Sequence, residues 1–480
     1  MKKEIVRIEH LSVYSNGKHM LDDFHLNVYA GEVVNLIGLS GSGMSVLLSV
    51  LNGLDTFASG RICINGDVFE NPCVRYAHPA IFGISLQSKL VPQLSVAENL
   101  FVIRKRQHHG ICIPRTEMYQ QTNMLLSQYL PEVSASDKVS ALSFADCIII
   151  EVLKAIVEGA ELLLIDDVLQ SLSLKEKARF VLVLRFLRRE HKAVLYTSHK
   201  TDLLSQCADR IVVIRKGRHV RTVYAADFDS SVIEQLELGT ENHSGHSRSV
   251  ALQGVEILRF DQVRSPGCIG NVSFSIHKGE IVGLYDIENR SNKELTLLVS
   301  AAIPMRCGRI FLDGVPFIPQ SLAGTVNAGI GIIREEDSDS ALIQNMNFVD
   351  NLFLPVMKKT AQSRVCIDAK VGQYIAKEFG KKIGIDAKDY ATPVMYLDEH
   401  VKQRILLYRW ILCRPKVLVC IEPYAHADIL TQRMMYTVFS QLAENGTAVL
   451  ISSADVNELS AICNRVLVFS EGRLTGERST

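Results

Sequence analysis

The chain has 480 residues, a length that suggests two to four domains. Hydrophobic residues make up 47%, enough to bury sizeable cores, and 52 basic residues balance 52 acidic ones. That neutrality argues against a large nucleic-acid surface and against a general pull toward anionic lipid.

The first residues, MKKEIVRIEHLSVYS, carry two lysines with no apolar segment behind them, and so do not form a secretory signal. No window approaches the ~18 apolar residues that a bilayer span requires. The greasiest runs, Cys147 to Ile150 and Val417 to Ile421, are short enough to be buried strands or helix faces. Eleven cysteines form no CxxC pair and no Cys/His ligand spacing, which suits a reducing cytosol and gives no metal signal.

Four words recur in order along the chain. Gly31-Glu-Val-Val34 returns as Gly279-Glu-Ile-Val282, and Gly60-Arg-Ile62 with Asn65-Gly66 returns as Gly308-Arg-Ile310 with Asp313-Gly314. Asn99-Leu-Phe101 returns as Asn351-Leu-Phe353, and Arg210-Ile-Val-Val213 with Gly217 returns as Arg465-Val-Leu-Val468 with Gly472. The copies are spaced by 248, 248, 252 and 255 residues, so one duplication with small insertions explains them all. This divides the chain into a first domain over 1–238, a polar Ser/Gly/His-rich linker over 239–250 and a second domain over 251–480. Short apolar runs such as Leu162 to Ile165 and Val194 to Thr197 alternate with helical patterns, which predicts an α/β fold with parallel strands and crossover helices.

The sharpest site lies at Val33 to Ser49. An apolar strand runs into Gly38-Leu-Ser40-Gly41-Ser42-Gly43-Met44-Ser45, and a Val/Leu-rich helix follows. Strand, glycine loop and helix come in the order a phosphate cradle needs, with amides turned inward and a helix N-terminus behind them. Ser45 stands where a hydroxyl holds Mg²⁺ in the pattern GxxxxGK[ST]. Met44 stands where that pattern has lysine, and a thioether carries no charge. The missing charged hydrogen bond is worth about 1.5–3 kcal/mol, roughly 10- to 150-fold in nucleotide affinity or turnover.

With these residues in order, the chain resembles the ABC transporter ATP-binding proteins, in the fused two-domain form that serves ribose-, galactose- and xylose-type sugar importers. The resemblance implies two tandem P-loop NTPase domains of the ABC type. Each has a mainly parallel sheet core, an antiparallel β subdomain and a helical subdomain. It also implies a role for individual residues. Tyr14 matches the aromatic that stacks on adenine, and Gly38, Ser40, Gly41, Ser42, Gly43, Met44 and Ser45 match the phosphate loop. Gln87, in the stretch Gly83-Ile-Ser-Leu-Gln87, matches the residue that reaches the metal and the lytic water. Ser143, in Leu142-Ser143-Phe-Ala-Asp146, stands in the family's signature LSGGQ. Asp166 is the metal-side carboxylate, Asp167 replaces the glutamate that polarises water, and His199 matches the switch histidine. The metal set is thus Ser45, Gln87 and Asp166, and the catalytic set is Asp167, His199 and Gln87.

The second half departs further from the family. Asp286-Ile-Glu-Asn-Arg-Ser-Asn-Lys293 replaces the glycine loop, placing two acids where phosphate sits. Leu397-Asp398-Glu399-His400-Val401 fills the signature slot, Ile421-Glu422 replaces Asp-Glu, and Ser452-Ser453 occupies the switch position. In this family each nucleotide is held between one half's loop and the other half's signature. The resemblance therefore implies one weak site for ATP and Mg²⁺, based on the first half, and an ATPase of low activity. The implied partners are transmembrane permease subunits, reached through the Gln87 and Glu335 loops, and indirectly an extracytoplasmic sugar-binding protein, with no nucleic acid. The implied location is cytoplasmic, peripheral on the inner face of the cell membrane. One alternative is a pseudo-ATPase that keeps the fold as a binding or regulatory module. Another is a soluble tandem ABC protein acting on ribosomes, against which the short linker and neutral charge argue.

Overall fold

Strands dominated by apolar residues must be buried on both faces, with successive side chains entering different cores. β3 (Val33–Gly38), β7 (Leu162–Ile165), β8 (Ala193–Ser198) and β9 (Arg210–Arg215) meet that demand. Val34, Leu36, Leu162, Leu164, Leu195, Val212 and Ile214 enter one hydrophobic cluster, while Val33, Ile37, Leu163, Ile165, Val194, Ile211 and Val213 enter another. The computed structural model describes every residue except 1, 16–17, 71–77, 87, 102–114, 200, 239–253, 287–290, 335–340, 355–368, 398, 425–426 and 480. Its contacts divide the chain into two units, residues 1–241 and 242–480. The predicted linker 239–250 lies outside the described residues.

In the first unit β1 (Glu4–Ser15) and β2 (Lys18–Tyr29) pair antiparallel. With β4 (Ser59–Ile64) and β5 (Asp67–Phe69) they form a four-stranded sheet in the order β2-β1-β4-β5. The second sheet has six strands in the order β10-β9-β3-β8-β7-β6, with β6 at Ile81–Ile84 and β10 at Arg218–Tyr224. All its neighbours are parallel except β9 and β10. The core between the two sheets also takes in α1 (Met44–Leu51). Helices α2 (Val96–Phe101), α3 (Arg115–Tyr129), α4 (Phe144–Val157) and α5 (Leu174–Arg189) cover the opposite face of the six-stranded sheet.

The second unit repeats the plan. β11 (Glu256–Arg264), β12 (Val272–His277), β14 (Cys307–Leu312) and β15 (Val315–Phe317) form the antiparallel sheet. β13 (Ile281–Asp286) is central in a six-stranded sheet, between the strands Ala448–Ser453 and Arg465–Ser470. The expected composition of each half is therefore present: a mainly parallel core, an antiparallel β subdomain and a helical subdomain. Among the described residues no helix is long and apolar enough to cross a membrane.

Each repeated word has a physical task. Glu32 and Arg210 pair at 2.8 Å, and Arg210 also donates to the Asn27 carbonyl; Glu280 and Arg465 pair at 2.6 Å, and Arg465 donates to the Ser275 carbonyl. Both ion pairs tie the start of the central strand to its neighbour. Asn99 accepts from the Val91 amide and donates to the Val91 and Ser95 carbonyls, and Asn351 does the same with Ile343 and Asn347. Gly60 and Gly308 lie beside a bulge, where any Cβ meets the carbonyl oxygen of His10 or Gln262 at 2.5 Å.

Burial works to raise the Glu280 carboxyl, but hydrogen bonds from Arg465 and His277 outweigh it and hold the group below the ordinary range. Glu280 is thus ionised and almost wholly buried. Arg465→Ala, which removes its main counter-charge, is expected to cost about 3–5 kcal/mol in urea unfolding. Because the folded-state pKa is lowered, the pair's contribution is present at neutral pH and fades as pH falls through the carboxylate range.

Candidate functional site

A glycine loop closes the gap between β3 and α1. Gly41 and Gly43 take positive φ angles of 77° and 102°, and Gly43 serves as the N-cap of α1. A side chain at Gly43 is excluded, since its Cβ falls 2.4 Å from the Met20 carbonyl oxygen. The Ser42 amide donates to the Leu39 carbonyl at 2.9 Å, and the Leu47 amide donates to Gly43 at 2.9 Å. The amides of Met44, Ser45 and Val46 precede that first helical bond, so they are the orphan donors of a helix N-terminus. The buried Ser42 hydroxyl has no hydrogen-bond partner among the described residues. Met44 is 4% exposed and packs into the core between the sheets.

The polar residues around this loop converge on Asp166. Ser45 Oγ donates to Asp166 Oδ1 at 3.0 Å, and Thr197 Oγ donates to the same oxygen at 3.0 Å. Thr197 also accepts from the Asp167 amide at 2.8 Å, so one hydroxyl aligns both acids. Burial raises the Asp166 carboxyl above its ordinary range, against the opposing hydrogen bonds from Ser45 and Thr197. His199 Nδ1 lies 2.9 Å from the Gly38 carbonyl, which can only accept, so Nδ1 carries the proton. The other ring nitrogen faces Asp167 Oδ1 at 3.9 Å. Asp167 sits in the left-handed region at φ 56°, and Glu422 holds the same conformation at φ 47° in the second unit.

Of the residues expected from sequence, the structure gathers Gly38, Ser40 to Ser45, Asp166, Asp167 and His199 at one end of the six-stranded sheet. Tyr14 lies on β1, 53% exposed, with its ring against His19 at 4.0 Å between centroids. Ser143 caps α4 by accepting from the Asp146 amide, while its hydroxyl donates to the Asp146 carboxylate at 2.6 Å. Arg179 holds the other Asp146 oxygen at 2.6 Å. Gln87, Glu335 and Asp398 lie outside the described residues.

Two features escaped the sequence reading. Thr197 enters the sequence reading only as the end of the apolar run from Val194. Glu151, 2% exposed on α4, accepts from the Ser88 hydroxyl at 2.6 Å and the Lys89 amide at 2.7 Å. It therefore ties the residues just after Gln87 to the helix that Ser143 caps. The signal was a lone carboxylate within the apolar run from Ile148 to Ala155.

In the second unit a carboxylate of the chain occupies the corresponding helix start. Asp286, at the end of β13, is 3% exposed and accepts from the amide of Ser291, the first residue of α6 (Ser291–Val299). The expectation that Asp286 points where phosphate sits is refined: it turns onto the helix terminus and caps it. Residues 287–290 are outside the described set. Glu294, one turn on, accepts from the Gly267 and Cys268 amides at 3.0 and 2.6 Å and from the Cys268 thiol at 2.6 Å. Burial, and then the neighbouring Glu294 carboxylate, push the Cys268 thiol up to about 12.

A family model described as ABC transporter matches residues 21–170. An arabinose import ATP-binding protein of Burkholderia cenocepacia (strain HI2424) is 28% identical over 475 residues, covering 98% of this chain and 92% of that protein. A ribose import ATP-binding protein of Yersinia pestis is 29% identical over 458 residues, covering 94% and 89%. Among solved structures, the ADP conformation of an ATP-binding cassette of an ABC transporter is 17% identical with a TM-score of 0.42, covering 49% of this chain and 96% of that one.

Replacing Glu294 tests the latch in the second unit. Glu294→Gln removes the charge that helps keep Cys268 protonated, so the thiol pKa should fall from about 12 toward its ordinary value. Alkylation of the Cys268 peptide at mildly alkaline pH, followed by mass spectrometry, should then be faster than in the parent protein.

Proposed function

We propose that this chain, a member of the ABC transporter family carrying two fused ATP-binding cassettes, is the ATP-binding subunit of a sugar importer, with weakened hydrolysis. The observation that carries the reading is the Ser45–Asp166 hydrogen bond, which joins the glycine loop to the acid at the end of β7. The transport assignment is supported by two near-full-length relatives named for arabinose and ribose import. In this role the chain sits at the inner face of the membrane against permease subunits, and an extracytoplasmic binding protein delivers the sugar.

The first unit suits Mg²⁺-ATP in its donor set. Orphan amides at the start of α1 and the unpartnered Ser42 hydroxyl can donate to phosphate oxygens, and Ser45 with Asp166 can hold the metal. The bound nucleotide supplies the phosphoryl group that water cleaves. In this reading Asp167 and His199, 3.9 Å apart, orient that water and the terminal phosphate, and the exposed Tyr14 stacks on the base. Two substitutions weaken the chemistry. Met44 gives no cation for the phosphates, and Asp167 is roughly 1.5 Å shorter than a glutamate. A misplacement of ~1 Å can cost on the order of 100-fold in rate.

The second unit takes no nucleotide in this reading, because Asp286 already fills the helix terminus with negative charge. A phosphate there would have to displace a buried carboxylate and then face it.

Titration of the purified chain with Mant-ATP and Mg²⁺ should therefore saturate at one nucleotide per chain, with slow phosphate release. Ser45→Ala should weaken binding, and Met44→Lys should strengthen it by roughly 10- to 150-fold. Two tight sites, or turnover unchanged by Asp167→Ala, count against the assignment. Co-expression with permease subunits should carry the chain into the membrane fraction, and its failure to do so would sink the transport role.

A further inference from the structure

We propose that His10, Asp23 and His25 form a surface site for one divalent transition-metal ion of the zinc class, separate from the nucleotide site. His10 Nδ1 lies 2.7 Å from Asp23 Oδ1, and His25 Nε2 lies 3.3 Å from the same oxygen. All three ligand atoms fall within 4.8 Å of one another. Around a tetrahedral ion with bonds of ~2.0–2.1 Å, neighbouring ligands stand about 3.3 Å apart, so side-chain movements of no more than about 1.5 Å bring the three atoms to that spacing. The three side chains are 75%, 63% and 45% exposed, which leaves room for water to complete the shell. Two imidazoles and one carboxylate are borderline donors, which select zinc, nickel or copper over magnesium or calcium.

The backbone brings these residues together, and the second unit shows that it does not require them. The β1–β2 register shifts between Ile8 and Leu11, and His10 and Asp23 both sit at positive φ, 51° and 52°. In the second unit Gln262 and Asn271 hold the same conformation at 52° and 65°. There the Gln262 amide donates to Ser273 Oγ at 2.8 Å, as the His10 amide approaches His25 Nδ1 at 3.5 Å. The same bulge is thus built once from Gln, Asn and Ser, and once from His, Asp and His. Fold geometry accounts for the bulge, and a metal accounts for the choice of side chains. The 3.5 Å contact is at the far end of hydrogen-bond range and gives way when His25 Nδ1 takes the proton and Nε2 takes the ion. A bound ion ties β1 to β2 where the bulge interrupts their ladder.

The test uses the untagged full chain, stripped by a chelator, kept reduced and titrated with Zn²⁺ against a competing indicator. The comparison protein carries the second unit's residues, His10→Gln, Asp23→Asn and His25→Ser, which the same bulge already accommodates. The parent should bind one more zinc than this variant, and zinc should raise the melting temperature of the parent alone. His25→Ser by itself should weaken that zinc by roughly tenfold or more, which keeps the test open if the triple variant folds poorly. Co²⁺ at this site should give a spectrum free of thiolate charge transfer. Equal stoichiometry and affinity in parent and variants overturns the proposal, as does a cobalt spectrum in which thiolates account for all the bound metal.

Discussion

A parallel strand that passes into a helix within a few residues leaves the first helical amides with no carbonyl to receive them, and some acceptor has to be found. The central strand of each six-stranded sheet ends in this way, and the two units answer differently. After β3 a loop with positive-φ glycines keeps side chains out of the space, so the donors at α1 remain for a ligand. After β13 the Asp286 carboxylate accepts from Ser291, and the helix terminus is satisfied from within. The second unit meets this electrostatic demand with a covalently attached anion, where the first leaves its donors open. Ile421 stands where the first unit has Asp166, buried at the end of a matching strand.

The framework around these strand ends is shared because it answers a different demand. The Glu32–Arg210 and Glu280–Arg465 pairs, and the Asn99 and Asn351 brackets, satisfy buried polar groups inside each unit. Losing one partner of such a pair leaves a charge or an amide without compensation. The left-handed backbone at Asp167 and Glu422 belongs to the same framework, since it persists whether the preceding residue is Asp166 or Ile421. Fold and site have therefore been free to diverge at different rates within one chain.

That separation also explains what the sequence made legible. The duplicated words mark framework residues whose tasks are local, so they survive as short strings such as Gly31-Glu-Val-Val34 and Asn99-Leu-Phe101. Fully apolar runs announced the parallel strands, and the glycine loop announced itself through spacing. Less legible were contacts assembled from distant segments. Thr197 reaches Asp166 across 31 positions and Glu151 reaches Ser88 across 63, and neither pairing has a local pattern. The His10–Asp23–His25 cluster was hidden for another reason: strand pairing through a bulge creates it, and no ligand spacing along the chain encodes a bulge. The inward turn of Asp286 is likewise a matter of rotamer and cap, which composition does not fix.

Met44 shows how far a site can lose charge without disturbing the fold. Its side chain is buried among Leu47, Leu48 and the residues of the antiparallel sheet. A lysine at this position has a stem of similar length and can bury it along the same apolar surface, with only its ammonium directed toward phosphate. The exchange therefore preserves the packing under α1 and removes one hydrogen-bonding cation. Asp167 follows the same logic: a glutamate shortened by one methylene keeps its strained backbone and its amide bond to Thr197. Both changes leave the cradle folded, with Ser45 and Thr197 still bonded to Asp166.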